Sequence, residues 1–159
     1  MLDIELRLAP PDVAGEISLL LAAAFADYQP LYTAEGYAAT AITPEEVSRR
    51  IEEGPVWIAV RDRTVVGTVS VITKGDSLYI RGMAVLPEAR GQRIGELLLA
   101  HVEKFAETGT FQRLFLSTTP FLDRAIRLYE RFGFRRTDEG PHALFGTPLF
   151  TMEKVIHRN

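Results

Sequence analysis

A chain of 159 residues with 47% apolar and 25% charged side chains has the make-up of a single globular domain, here residues 1–159, large enough to bury a core. Its net charge of −3, without a basic block, gives no electrostatic footprint for a nucleic acid partner. The lack of cysteine removes disulfides, thiolate metal sites and a cysteine nucleophile, and three scattered histidines (His101, His142, His157) suggest no metal site.

Residues 2–8 (LDIELRL) alternate apolar and polar side chains, the period of a half-buried strand. Pro10-Pro11-Asp12 opens a helix running to about Tyr28, since proline is tolerated in a first turn. Its stretch ISLLLAAAFA, residues 17–26, superficially looks like the core of a secretion signal. The segment before it carries Asp3, Glu5, Asp12 and Glu16 against Arg7, so the positive start is missing, and ten residues fall far short of a membrane span. A buried helix is expected instead, in a cytoplasmic protein without a membrane partner. Thr43, with Glu46 three residues on, predicts a capping box for the next helix, which stops at Gly54-Pro55. Strands at 56–60 and 65–72 are joined by Asp62-Arg63, and Gly75-Asp76 turns the chain into a third strand.

The segment that follows, IRGMAVLPEARGQRIGELLL at residues 80–99, is the most informative of the chain. An apolar run from Leu78 to Leu86 stops at Pro87 and reaches Arg90-Gly91-Gln92-Arg93-Ile94-Gly95. A helix then opens, with Ile94, Leu97, Leu98, Val102 and Phe105 on one face, and continues to about Thr108. Strand, glycine turn and helix start together aim unpaired N–H groups and a positive dipole end at one spot, an anion site suited to phosphate. Gly91 and Gly95 permit close approach, and Arg90 and Arg93 add charge. The same junction also occurs as an ordinary turn between a strand and a helix. A strand at 113–117 is followed by a helix at 120–132, with Thr119 as its N-cap and Pro120 in first position. Strands at 134–137 and 149–155 close the sheet. The loop 142–148 (HALFGTP) either covers a site or is a plain β-connection. The element order predicts an α+β fold with helices on the faces of a mixed, mostly antiparallel sheet of about seven strands and about four helices.

Val85, Pro87, Arg90, Gly91, Ile94 and Gly95, followed some thirty residues later by Ala125, Leu128, Tyr129, Gly133 and Phe134, resemble the two signature motifs of the GNAT superfamily of N-acetyltransferases. The resemblance implies acetyl transfer from acetyl-coenzyme A to a primary amine of a small molecule or peptide, directly in a ternary complex, with no metal. It implies that the turn Arg90, Gly91, Gln92, Arg93, Ile94, Gly95 and Glu96 takes the pyrophosphate, and that the main chain of Met83 and Val85 pairs with the pantetheine arm as an added strand. It also implies that Tyr129 donates a proton or hydrogen bond to the departing sulfur. A phenol of pKa ~10 giving its proton fully to a thiolate of pKa ~8.5 runs uphill by roughly 2 kcal/mol, so a hydrogen bond is the more effective form of help. The bare alternative is that Tyr129 packs beside Leu128 and Phe132.

Three departures from the family pattern stand out. Arg93 occupies a position where many relatives have glycine and is tolerable there only with a negative φ. Leu122 replaces an asparagine that contacts the cofactor in relatives. Ser117 stands where protein-acetylating relatives place a glutamate base, so deprotonation is expected through water at Ser117, Thr118 or main-chain carbonyls, with Glu88 as a weak candidate. For the acceptor, Tyr28 and Tyr32, together with Tyr37, border the pocket in similar enzymes, though aromatics there also serve plain packing. Arg81 meets an acidic substrate group or faces solvent. A homodimer is compatible with this pattern. The rivals are a non-catalytic acyl-coenzyme A sensor, which has no need of Tyr129, and a dinucleotide binder, which wants a third glycine that this turn lacks.

Overall fold

The computed structural model describes residues 3–140 and 142–157. Strand β1 (Glu5–Leu8) lies at one edge of the sheet; Leu2 of the expected first strand lies outside the described residues. A single 3-10 turn at Pro11–Val13 leads into α1 (Ala14–Phe25), and a second 3-10 stretch, Ala26–Leu31, ends that arm. The helix expected to reach Tyr28 thus tightens after Phe25, ahead of Pro30, whose ring and missing N–H oppose a regular α-helix. A short helix α2 (Ala34–Thr40) follows, unforeseen in the sequence, with Thr33 as its N-cap. Helix α3 (Pro44–Glu53) starts on the predicted capping box of Thr43 and Glu46.

Strands β2 (Val56–Arg61), β3 (Thr64–Lys74) and β4 (Ser77–Val85) form an antiparallel meander. Asp62 and Arg63 make the first reversal, both at positive φ, as a two-residue hairpin turn demands. After a 3-10 turn at Pro87–Ala89 come α4 (Ile94–Thr108), β5 (Arg113–Thr118), α5 (Asp123–Arg131), β6 (Arg135–Arg136), β7 (His142–Leu144) and β8 (Thr147–Val155). The sheet order is β1-β2-β3-β4-β5-β8-β6, with β7 paired to β8, and every pairing is antiparallel except β4 with β5. Among the described residues, eight strands and five α-helices therefore realise the α+β plan; the extra strand is β7, which makes the 142–148 segment a β-hairpin.

Both faces of the sheet are covered, which explains why β2 and β3 read as continuous apolar runs. Along β2 the side chains alternate between two cores. Ile58 and Val60 join Ile17, Leu20 and Leu21 of α1 and Val47 of α3, whereas Trp57 and Ala59 join Leu98, Val102 and Ala106 of α4. In α4 the buried face runs through Ile94, Leu98, Leu99 and Val102, and Leu97 is left 41% exposed. The i, i+4 row therefore sets this face, and Leu99 takes the place assigned to Leu97. Helix α5 also starts later than its sequence suggests. The Leu122 N–H donates to the Thr119 carbonyl at 3.2 Å, closing a tight turn around Pro120, and the helix begins at Asp123. Thr119 is not its cap, because the turn puts Leu122 in that position and no side-chain cap bond forms there; Thr119 itself is buried, at 2% exposure.

Candidate active site

The sheet opens along one seam. Strands β4 and β5 pair in parallel only from Ser77 with Arg113 to Tyr79 with Phe115. Beyond Tyr79 they part: β4 stays with β3, and β5 stays with β8. A bulge in β4 helps turn it away. Thr68 faces Ala84 while Ser70 faces Arg81, so β4 holds one residue more than β3 across this step. Gly82 takes that step at φ +64°, and the Ser70 hydroxyl donates to the Arg81 carbonyl at 2.9 Å. The divergence leaves the β5-facing edge of β4 unpaired from Ile80 to Val85, the stretch containing Met83 and Val85. Both line a cleft of about 740 Å³ that fills the gap between the strands.

One mouth of the cleft is the turn before α4. Leu97 is the residue whose N–H donates to the Arg93 carbonyl, so the N–H groups of Ile94, Gly95 and Glu96 precede the helical ladder. Gly91 sits at φ +86°, and a Cβ added there would meet nothing within 4 Å, so the backbone itself faces the open cleft. Gly95 has a different reason. A Cβ there would lie 2.8 Å from Leu128 Cδ2, so this glycine lets α4 and α5 approach each other. Arg93 adopts φ +62°, which corrects the expectation of a negative φ. The αL residue lets the chain reverse into the first turn of α4 at a backbone cost of roughly 1–2 kcal/mol, with its side chain 83% exposed.

The side chains of the turn divide their tasks. Arg90 Nη2 donates to the Ala24 carbonyl at 3.1 Å, tying the turn to the last turn of α1. Gln92 points away from the cleft and accepts from Arg61 Nη1. Glu96 pairs with Arg131 at 3.4 Å and more loosely with Arg93 at 4.0 Å. Helix α5 adds charge that the motifs did not reveal. Arg124, Arg127 and Arg131 recur at helical spacing along the side lining the cleft. Together with Arg50, Arg81, Arg90 and Arg93 they put seven arginines around a cleft whose sole lining carboxylate among the described residues is Glu96. A chain of net negative charge has thus gathered positive charge at one concave place.

Tyr129 lines the floor of the same cleft at 7% exposure. Its ring packs against Phe134, with centroids 5.9 Å apart, so packing and access to the cleft coexist. The C-terminus of α5 curls around it, as Phe132 and Phe134 both donate their N–H to the Tyr129 carbonyl and Gly133 takes φ +92°. Burial, with a smaller contribution from Tyr32, pushes the Tyr129 phenol well above its ordinary value. It is therefore held protonated, as a donor.

The other mouth lies on the face that carries α1 and α3. Tyr32 is buried and makes edge contacts with Phe121 at 4.9 Å and Tyr37 at 5.9 Å, and Tyr28 stacks on Phe121 at 6.1 Å. Tyr28 and Tyr32 line the cleft; Tyr37 stands behind them. Thr33 holds this wall to the β7–β8 hairpin: its N–H donates to Thr147 Oγ1 at 2.9 Å and its hydroxyl donates to the Phe145 carbonyl at 2.8 Å. Arg81 also lines this part and pairs with Glu53 at 3.5 Å, and so it does not simply face solvent. Ser117, Thr118 and Leu122 are in the lining and Glu88 is not. Among the described residues no group of histidine, aspartate and glutamate is placed to hold a metal, and no helix is long and apolar enough to cross a membrane.

Residues 20–134 match the sequence model of the acetyltransferase (GNAT) family. The chain belongs to that family. The GNAT relatives include an IAA acetyltransferase of Azospirillum brasilense, 36% identical over 103 residues, covering 62% of this chain and 66% of that protein. A probable N-acetyltransferase, camello, of Xenopus laevis is 37% identical over 84 residues, covering 51% of this chain and 38% of its own length. The chain thus spans less than two thirds of these curated relatives. In fold the likeness extends over nearly the whole chain. The PaiA N-acetyltransferase of Thermoplasma acidophilum, solved with coenzyme A, superposes with a TM-score of 0.83 at 18% identity, covering 97% of this chain and 99% of the other. The parted strands and the helices α4 and α5 that flank the cleft therefore belong to a GNAT fold.

Proposed function

We propose that this protein transfers the acetyl group of acetyl-coenzyme A to a primary amine of a small molecule or peptide, directly in a ternary complex. The observation that carries this reading is a single cleft lined at one part by a glycine turn and arginines, at another by Tyr28 and Tyr32, and also by the buried Tyr129. The mouth at α4 and α5 fits the phosphates of coenzyme A: free N–H groups at the start of α4, the open backbone at Gly91, and the charges of Arg93, Arg124, Arg127 and Arg131. The unpaired edge of β4 at Met83 and Val85 offers main-chain groups to the amides of the pantetheine arm. Bound there, the thioester supplies the activated acyl group, and the protein supplies position and a polar environment.

Tyr129 donates a hydrogen bond as charge develops on the leaving sulfur. Because burial raises its pKa, complete proton transfer from Tyr129 is less favourable still than for an ordinary phenol, and the hydrogen bond does the work. Tyr28 and Tyr32 shape the acceptor mouth. Ser117 and Thr118 hold water that takes the proton from the amine, since no carboxylate lies on that strand. A non-catalytic sensor would use the phosphate mouth alone; the second mouth and Tyr129 favour the enzyme.

The test has two parts. Coenzyme A at about a hundredfold above Kd should stabilise the fold by about 2.7 kcal/mol in thermal melts. Acetyl-coenzyme A should then release free thiol in an amine-dependent manner across a panel of amines, amino acids, polyamines and peptides. Melting indifferent to millimolar coenzyme A would overturn the proposal.

A further inference from the structure

The acceptor mouth contains two arginines that the chemistry of acetyl transfer does not require. Arg50 projects from α3 and Arg81 from β4, and both line the cleft on the face of α1 and α3, beside Tyr79. Gly82 makes the seat for the first of them. A Cβ at that position would lie 2.7 Å from Arg50 Nη1, so the bulge glycine leaves room for a guanidinium against the backbone. Among the described residues Arg50 forms no ion pair, and Arg81 reaches only Glu53, whose side chain is 47% exposed, at 3.5 Å. Arg81 Nε is buried without a hydrogen-bond partner. Burial, and next the neighbouring Arg81, lower the Arg50 guanidinium from its ordinary value and outweigh the opposing pull of Glu46, Tyr79 and Glu53.

A buried charged donor left unpaired is costly, and native proteins rarely keep one without a use. Two guanidinium forks in the lining of one cleft, neither matched by a buried carboxylate, suit an oxyanion that can accept several hydrogen bonds at once. The phosphates of the donor do not fill this role, because they are accounted for at the α4 and α5 mouth, where separate arginines stand. We infer that Arg50 and Arg81 form a carboxylate-binding subsite, so that the preferred acceptor is an amine that also carries a carboxylate, an amino acid or a related amino acid-like molecule. This inference rests on the acetyltransferase reading and names its substrate class.

The experiment compares amino acids (alanine, β-alanine, glutamate and phenylalanine) with the corresponding carboxamides as acceptors, by kcat/KM, in the wild type and in Arg50→Gln and Arg81→Gln. Melts with the same amino acids and with N-acetylalanine, in the presence of coenzyme A, give a readout that needs no turnover. The wild type should prefer at least one acid over its carboxamide by about 10²-fold, and each variant should collapse that ratio toward one while keeping its stabilisation by coenzyme A. If nothing in the panel is acetylated, a melting shift by an amino acid or N-acetylalanine that is lost in Arg81→Gln still supports the subsite. No such shift overturns it. Equal use of acids and carboxamides by the wild type also overturns it, as does a preference that survives both substitutions. Should a glutamine variant fail to fold, Arg50→Lys and Arg81→Lys keep the charge and remove the fork, and a preserved preference in both would refute the paired-fork geometry. Stabilisation by coenzyme A without acetylation of any amine would sink the enzyme reading and leave the subsite to the melts.

Discussion

Replacing Tyr129 by phenylalanine removes one oxygen from a residue that lines the cleft. The ring is 7% exposed and rests on Phe134, and both features survive the change, so the fold should lose less than about 1 kcal/mol. The rate should suffer far more. A donor aimed at charge that develops in the transition state is worth about 10²- to 10³-fold in kcat, or roughly 2.7–4 kcal/mol. The raised phenol pKa sharpens the expectation. Full proton transfer to a thiolate already runs uphill by roughly 2 kcal/mol for an ordinary phenol, and burial adds to that, so the hydroxyl should act without giving up its proton. Two consequences follow for steady-state assays of thiol release. The Tyr129→Phe deficit in kcat should shrink with an acyl donor whose leaving thiol is more acidic, and the wild-type kcat should show no alkaline limb from this phenol up to about pH 10. Equal kcat for Tyr129→Phe and wild type with acetyl-coenzyme A, at equal thermal stability, would refute the role assigned to the hydroxyl.

Gly91→Val places a β-branched residue at φ +86°, a strain of about 1–2 kcal/mol, and sets a side chain over the open amides; melts should show the stabilisation by coenzyme A abolished. Stability should fall as pH rises past about 10, followed by circular dichroism. In that window the unfolded chain releases the protons of Tyr32 and Tyr129 while the folded protein, whose two phenols are both raised by burial, retains them; below it their contribution is fully present. Thr147→Val should cost about 1–3 kcal/mol in chemical denaturation, because Thr147 is 1% exposed and the Thr33 N–H loses its acceptor there.

Features that depend on a few adjacent residues were legible in the sequence. The Thr43 and Glu46 box, the Asp62-Arg63 reversal and the glycine turn before α4 each carry their geometry in their residue types. Gly95 was legible as a required glycine, but its reason was not: it faces Leu128, a partner from another helix. The signature motif located Tyr129, although nothing in the sequence indicated its burial. What escaped depended on distant pieces. Arg50 reads as one more solvated charge on a polar helix until Gly82 is found beside it, and the parting of β4 from β5 leaves no local trace except that glycine. The α5 arginines were readable in principle from their spacing of three and four residues. Their meaning needed the cleft on the other side. Helix α2, seven residues without a marked apolar face, forms because Thr33 caps it and the hairpin packs on it.

The tie between Thr33 and Thr147 also bears on how the molecule comes into being. Its two ends are 114 residues apart in sequence. Contacts of such separation form against a large loop entropy and tend to arrive late in folding. During synthesis the glycine turn, α4 and α5 are all made before residue 147. The wall at Tyr28 and Tyr32 must wait for the last strands. A nascent or partly unfolded chain should thus acquire donor recognition before it acquires acceptor recognition.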